Sequence, residues 1–283
     1  MFDLRYHVAS LAAVFIALVI GILVGVGISG RGALKDVERL NLQNDIGRLQ
    51  AQNEDLRRQM QELEAAAEYQ QETEQAVLAN RLRDRRLLLV FVGSVKGAIR
   101  TSVEQMVGDA DGSMARMRAL RVPVDFVEVQ DALVEVVDAP ARPEDLGRSL
   151  AAELLDGGET PLLDELTTTL IEEQDGSMGG AVDGVVIAHN SDRQGGPTAR
   201  FLAGLYNGLL SGGRPAIAVE TSRTDDSALS VFRRHGYSTV DNVEMPTGRV
   251  SLAVLLTGEA TGDYGVNGEN GPLPNVEPVA PTE

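Results

Sequence analysis

The first strongly patterned stretch of the chain is a continuous apolar run near its start. Residues 8–28 read VASLAAVFIALVIGILVGVGI, and no Asp, Glu, Lys or Arg occurs between Tyr6 and Gly30. A helix of about 20 residues covers roughly 30 Å, which is the thickness of the hydrocarbon core of a bilayer. The pattern therefore predicts a single transmembrane anchor at 1–30, in contact with the lipid bilayer. A cleaved signal peptide and a buried soluble helix are the alternatives.

Two glycines in this run have a spacing that is typical of paired membrane helices. Gly21 and Gly25 form a G-x-x-x-G motif, which lets two helix backbones approach closely. We therefore expect them to contribute to oligomerisation, although glycine is also common in unpaired membrane helices.

The orientation of the anchor is read from its flanking charges. Arg5 precedes the run and three basic residues follow it, so a count of positive charges places the rest of the chain in the cytoplasm. Long domains can translocate regardless of flanking charge. We therefore favour an uncleaved signal anchor in the cell membrane or outer envelope, with an extracytoplasmic C-terminal domain.

A heptad repeat follows the apolar run. Its seam positions alternate spacings of four and three, and a polar residue occupies one of them; they are Leu42, Ile46, Leu49, Asn53, Leu56, Met60 and Leu63. A single Asn in such a seam fixes the register and favours a parallel pair. The pattern predicts a coiled-coil stalk at 31–84 that forms a parallel homodimer or higher homo-oligomer. A long helix folded against its own domain is the alternative.

Short apolar runs alternate with helical periodicity from residue 85 onward. Strands are predicted at 87–93, 122–129, 182–189, 215–220, 239–243 and 250–257, and helices at 99–107, 143–155, 162–173, 197–210 and 226–235. This alternation predicts a three-layer α/β domain with a mainly parallel sheet at 85–258. Residues 259–283 contain five acidic residues, four Gly and four Pro with no Lys or Arg, which predicts a disordered tail.

Composition excludes several classes of function. The chain has 25 Lys and Arg against 42 Asp and Glu, and its net charge of -17 argues against a nucleic-acid partner. It contains no Cys, which excludes disulfides, thiolate metal sites and iron–sulfur clusters. Three His and the lack of G-x-S-x-G and H-E-x-x-H motifs argue against an enzyme. We predict no catalytic residues and no cofactor-binding residues.

The loops after two predicted strands are the places to look for a ligand. Residues 93–97 match neither the Rossmann nor the P-loop pattern. Residues 189–192 (His-Asn-Ser-Asp), followed by Gly195, Gly196 and Pro197 at a predicted helix start, form the best pocket candidate, because a helix N-terminus can hold an anion. An ordinary connecting loop is the alternative.

Metal-ligand candidates are few. Met114 and Met117 could offer thioethers to Cu(I), although Met pairs at this spacing more often pack in a core. His189 is the third weak candidate. We predict no firm metal site, and copper is expected only as a transported ion.

Several stretches together resemble the actinobacterial copper transport protein family called MctB. They are the opening Leu4 to Ile28, the coiled coil directly after it, the STVDNVEMPTGRVSLAVLL stretch from Ser238 to Leu256, and Gly262-x-Tyr264-Gly265. The resemblance implies an envelope membrane protein that acts in copper efflux and homeostasis as a pore. It also implies cell-separation relatives that act as coiled-coil scaffolds with a division-site membrane protein. No ligand residues are transferred by the resemblance.

Overall fold

The computed structural model describes the backbone of residues 4–29, 31–224 and 226–276, with the side chains of these residues except 4–9, 27–29, 31–41, 43 and 67. The chain divides into two compact units, Met1–Glu68 and Tyr69–Glu283.

The first unit begins with helix α1 (Leu4–Ser29). The large apolar side chains of this helix between Leu11 and Val26 are 47% to 72% exposed. Among the residues that the structure describes, no helix combines the length and the apolar character needed to cross a membrane. The predicted transmembrane anchor is therefore not confirmed.

Helix α2 (Arg31–Leu78) runs without interruption through the predicted heptad repeat. The apolar seam side chains are 51% to 70% exposed in the single chain. The Nδ2 atom of Asn53 donates to the carbonyl oxygen of Leu49 at 3.1 Å. The helix is therefore present, while the coiled coil itself is not shown.

The second unit is built on a seven-stranded sheet with the order β3-β2-β1-β4-β5-β6-β7. The strands are β1 (Arg86–Gly93), β2 (Ser113–Leu120), β3 (Ile171–Gly176), β4 (Gly184–Asn190), β5 (Ala216–Val219), β6 (Ser238–Val240) and β7 (Asp263–Tyr264). Within the described residues only the β2–β3 pairing is antiparallel. A mixed α/β domain with a mainly parallel sheet is thus confirmed.

Helices cover both faces of this sheet. They are α3 (Gly97–Asp109), α4 (Phe126–Ala132), α5 (Pro143–Asp156), α6 (Pro161–Leu170), α7 (Gly196–Ser211), α8 (Leu229–His235) and α9 (Pro246–Thr257). One core lies between the sheet and α4 to α8, and the other lies between the sheet and α3, α9 and the end of α2. Side chains of β1 alternate between the two cores, which explains why this strand reads as a continuous apolar run.

Two predicted strands are wrong. Residues 122–129 are not a strand, because the Asp125 carboxylate accepts hydrogen bonds from the amides of Val127 and Glu128 and caps α4. Residues 250–257 belong to α9, which begins at Pro246 and is buried along most of its length. A helix buried on several sides shows an apolar run that resembles a strand.

Three real strands, β2, β3 and β7, were not predicted. The helix predicted at 162–173 ends at Leu170, and the chain continues directly into β3, whose side chains after Ile171 are exposed and largely acidic. Strand β2 also escaped prediction, because two arginines lie in its buried half.

The predicted disordered tail is wrong for residues 259–276, whereas 277–283 lie outside the described residues. Strand β7 pairs with β6, and Leu273 and Val276 pack against the second core. The Asp241 carboxylate accepts hydrogen bonds from the amides of Val266 and Asn267 at 2.7 and 2.6 Å. The sheet therefore continues beyond the predicted domain end at 258.

Replacing Asp241 with Ala is expected to loosen this tail. Two charge-assisted hydrogen bonds disappear, so hydrogen exchange of the Val266 and Asn267 amides should accelerate by about 10- to 100-fold. Exchange measured by NMR or mass spectrometry checks this. Glu259→Ala removes an exposed acid from the same segment and serves as the control; equal acceleration in both variants would contradict the assigned role.

Candidate functional site

The order in which the chain adds strands to the sheet reverses at its centre, between the parallel strands β1 and β4. From β1 the chain crosses through α3 to β2 on one side, and from β4 it crosses through α7 to β5 on the other. Such a switch point leaves a crevice at the carboxyl ends of the two strands. Gly93 and Asn190 are paired there. A Cβ on Gly93 would overlap the carbonyl oxygen of Asn190, and its φ of +94° favours glycine.

The two loops that leave these strands are joined by a side chain. The Nδ2 atom of Asn190 donates to the carbonyl oxygen and to the Oγ atom of Ser94, both at 3.0 Å. Lys96 follows at the N-terminal boundary of α3. The crevice therefore has one wall from the β1 loop and another from the β4 loop.

His189 lies at the end of β4 in a hydrogen-bonded chain. Its Nδ1 atom is 3.2 Å from the Tyr206 hydroxyl, and its Nε2 atom is 3.1 Å from Ser191 Oγ. Burial lowers the pKa of His189, and the nearby charge of Lys96 lowers it further. Burial also raises the pKa of Tyr206, so its hydroxyl remains protonated and can donate to the imidazole.

A cleft of about 760 Å³ opens between α7 and α8 beside this chain. Four residues with aromatic or imidazole rings lie along one wall of this cleft, namely His189, Tyr206, Phe232 and His235. The ring centroids of Tyr206 and Phe232 are 4.9 Å apart, and those of Tyr206 and His235 are 5.6 Å apart. Burial and the neighbouring charge of Arg234 lower the pKa of His235. A cleft of this size is large enough for a small molecule.

A second cleft of about 560 Å³ adjoins the first. The two share His189, Ser191 and Asp192, and the second reaches Lys96 and Arg223. The predicted loop at 189–197 thus lies between both clefts, at the carboxyl edge of the sheet.

The three predicted metal candidates are not brought together. Met114 and Met117 lie on β2, pair with Leu87 and Leu89, and pack in the second core, where Met117 is 1% exposed. His189 lies at the opposite end of the sheet. In the described part of the chain, no group of three or more His, Cys, Asp or Glu residues is arranged to hold a metal ion. The methionines thus act in core packing.

The predicted oligomerisation residues belong to the first unit. Gly21 and Gly25 have open space around a built Cβ in the single chain. The surface of α1 at these two glycines is therefore accessible to another copy of the chain. Pairing through the glycines and through the heptad positions of α2 stays a prediction.

Sequence reasoning found one wall of the cleft and missed the other. The loop after β4 follows an apolar strand and was predicted as the best pocket candidate, whereas the loop after β1 was considered and matched no nucleotide-binding pattern. Tyr206, Phe232 and His235 come from α7 and α8, where aromatic residues at helical spacing are indistinguishable from ordinary core residues.

Acidification is expected to weaken the second unit through His189. The pKa of its imidazole is lower in the folded state than the ordinary value of 6.5 in the unfolded chain. The unfolded state therefore takes up the proton first, so this contribution to stability is complete above about pH 6.5 and is lost as the pH falls. Urea unfolding measured above and below that pH should show a smaller acid-induced loss in His189→Gln than in the unmodified chain. Equal losses would contradict this.

Comparison with known proteins identifies the family. The family model described as "Copper transport outer membrane protein, MctB" matches residues 1–274. The copper transporters MctB of Mycobacterium tuberculosis and Mycobacterium bovis are each 26% identical, over 94% of this chain and 96% of the relative. The chain belongs to the MctB family. The resemblance inferred from its sequence is therefore confirmed, and the MctB family is named for copper transport rather than for an enzymatic activity.

The stretch from Ser238 to Leu256 that resembles the MctB family holds separate segments together. The Glu244 carboxylate accepts hydrogen bonds from the amide and hydroxyl of Ser222. Arg249 donates to both carboxylate oxygens of Glu74, near the end of α2, at 2.5 and 2.7 Å. The polar residues of this stretch thus connect the loop after β5, helix α9 and helix α2.

Proposed function

We propose that this member of the MctB family acts in copper efflux and homeostasis at the cell envelope, with copper as the transported ion. The observation that carries the proposal is the family match, which extends over residues 1–274 and so includes both units. The family's description as an outer membrane protein supports an envelope location. Any pore in this proposal is formed by an oligomer, because one helix encloses no lumen.

Copper content of cells is the direct test. A strain lacking the gene should retain excess copper when grown with added copper, and the full chain should restore the normal level. Normal copper content in the deletion strain would overturn the proposal.

We place α1 in a lipid bilayer, with the second unit outside the cytoplasm. Support comes from the exposed apolar side chains between Leu11 and Val26 and from the lack of charged residues between Tyr6 and Gly30. The full chain should stay with membranes after alkaline extraction, whereas Ile16→Asp combined with Ile20→Asp should release it. Protease should digest the second unit in intact spheroplasts; complete protection would contradict the orientation.

Self-association through α2 is the structural part of the proposal. The heptad seam is exposed in the single chain, and burying it between two copies would remove that apolar surface from water. Sedimentation of the full chain should show a dimer or higher oligomer. Leu49→Lys combined with Leu56→Lys should shift it toward monomer, whereas Ala51→Lys on the outer face should not. A concentration-independent monomer would contradict the stalk.

The exposed seam also favours a second candidate function. A dimeric, non-catalytic scaffold would use the stalk to present the α/β unit to a division-site membrane protein. Chained or unseparated cells in the deletion strain, together with normal copper content, would support this scaffold in place of copper efflux.

A further inference from the structure

Basic side chains are concentrated around the two adjoining clefts. The chain as a whole is acidic, with a net charge of -17. Among the described residues that line the clefts, four are basic and two are acidic, namely Lys96, Arg193, Arg223 and Arg234 with Asp192 and Asp226. The described lining of the two clefts therefore carries a net positive charge, which is opposite in sign to the net charge of the whole chain.

Five arginines elsewhere in the second unit form ion pairs, whereas the four cations of the clefts form none with the described residues. Arg100, Arg148, Arg214, Arg233 and Arg249 each lie within 4.0 Å of a carboxylate. Between the described residues no such pair is shown for the four cations of the clefts. Burial raises the pKa of Glu220 and lowers that of His189, and Lys96 lies close enough to the ends of β4 and β5 for its charge to act on both groups. Asp192 and Asp226 offset part of the positive charge at the cleft mouth, and the remainder is available to a bound anion.

The interior of the larger cleft is suited to an apolar group. Tyr206 and Phe232 are only 4% and 1% exposed, so their rings are packed behind the wall of the cleft, and the partly exposed side chains of Ala203, Ala228 and Val231 line the cavity itself. His189 and His235 add two imidazole rings that burial keeps in the neutral form near pH 7. Packing the apolar part of a small molecule against the aliphatic side chains would remove apolar surface from water.

We propose that the cleft between α7 and α8 binds a small organic anion, with its apolar part against Ala203 and Val231 and its carboxylate or phosphate held by the basic residues at the mouth. The volume of about 760 Å³ matches the size of a small-molecule site. The position at the switch point of the sheet is where α/β folds of this type bind ligands.

Charge discriminates between this ligand class and two others. Four unpaired cations repel a free copper ion, so the cleft is not a site for the transported metal. A nucleic acid would reach beyond the cleft and meet the acidic remainder of the chain. A small anion contacts only the basic mouth. The proposal stands independently of copper transport, and neither outcome of its test bears on cell copper content.

Calorimetric titration of the purified full chain tests the assignment with two planar anions, phenyl phosphate and 4-hydroxybenzoate. If only phenyl phosphate binds, the site is specific for phosphate, and if only 4-hydroxybenzoate binds, it is specific for carboxylate. Either result supports the proposal. Benzyl alcohol lacks the charge and inorganic phosphate lacks the ring, so each should bind at least about tenfold more weakly than the better anion.

Variants locate the site. Lys96→Gln combined with Arg223→Gln should weaken binding of the better anion by about tenfold or more, because two cations are removed from the mouth. Arg57→Gln makes a charge change of the same kind on α2, in the other unit, and should leave affinity unchanged. Ala203→Trp, which places a large side chain in the cavity at a partly exposed position, should abolish binding while circular dichroism reports an unchanged fold.

Three results would overturn the proposal. They are no saturable binding of either anion at about 10 mM, equal binding of benzyl alcohol, and equal loss of affinity in Arg57→Gln and in the double variant.

Discussion

Arg249→Met should lower the free energy of unfolding of the second unit by about 3–5 kcal/mol, since it leaves a buried carboxylate without its partner. The Glu74 side chain is 3% exposed and that of Arg249 is 11% exposed. The guanidinium donates to both carboxylate oxygens and also to the carbonyl oxygen of Glu244 at 2.9 Å. Removing the guanidinium leaves the Glu74 carboxylate and the Glu244 carbonyl oxygen without this hydrogen-bond donor.

Urea unfolding of the full chain, followed by near-ultraviolet circular dichroism, measures this loss. Tyr206 and Tyr237 are buried in the second unit and report its tertiary packing. Arg148→Met is the matched control, because Arg148 pairs with Glu144 and Asp145 at the surface with 50% of its side chain exposed, and such pairs contribute less than about 1 kcal/mol.

A double variant separates the ion pair from general packing. Glu74→Gln combined with Arg249→Met removes both charges, so its loss should be smaller than that of Arg249→Met alone. A loss in the single variant no larger than in Arg148→Met would contradict the role assigned to this pair.

Buried parallel strands were the most predictable part of the fold. Strands β1, β4 and β5 are covered on both faces, so their sequences are continuous apolar runs with glycine or proline nearby. The predicted bounds differ from the observed ones by one or two residues at most. A strand that is buried on both faces needs apolar residues at every position, so its sequence alone is enough to predict it.

Strand β2 could not be predicted from its local sequence. Arg116 and Arg118 are 0% and 4% exposed, and local sequence gives no reason to expect two buried guanidiniums in one strand. Their partners are distant carbonyl oxygens: Arg116 donates to Leu154 and Gly180, and Arg118 donates to Asp175. Hydrogen bonds between residues far apart in sequence decide the burial of these side chains.

The candidate site likewise has a part that the sequence could predict and a part that it could not. The loops after β1 and β4 were predictable because each follows a recognisable strand, and the carboxyl ends of neighbouring parallel strands share one edge. The unpaired state of Lys96 and Arg223 was not predictable. It depends on which carboxylates the fold brings within 4 Å, and no local pattern contains that information.

A close helix contact provides the other large expected effect. Helices α5 and α7 pack through small residues: a Cβ on Gly204 would overlap the carbonyl oxygen of Glu144, and one on Gly208 would lie 2.6 Å from the Cβ of Ala151. Gly204→Ala therefore forces the two helices apart, and the free energy of unfolding should fall by about 3 kcal/mol or more. The same G-x-x-x-G spacing that predicted pairing at Gly21 here joins two helices within one unit.

Gly108→Ala is the matched control for this substitution, with the opposite expected sign. Gly108 lies in α3, is exposed, and has open space around a built Cβ. Alanine there should raise the free energy of unfolding by about 0.5–1 kcal/mol, because it restricts the unfolded chain. Urea unfolding of both variants measures the difference. If Gly204→Ala is as stable as Gly108→Ala, the backbones of α5 and α7 can separate without loss and the close packing does not stabilise the unit.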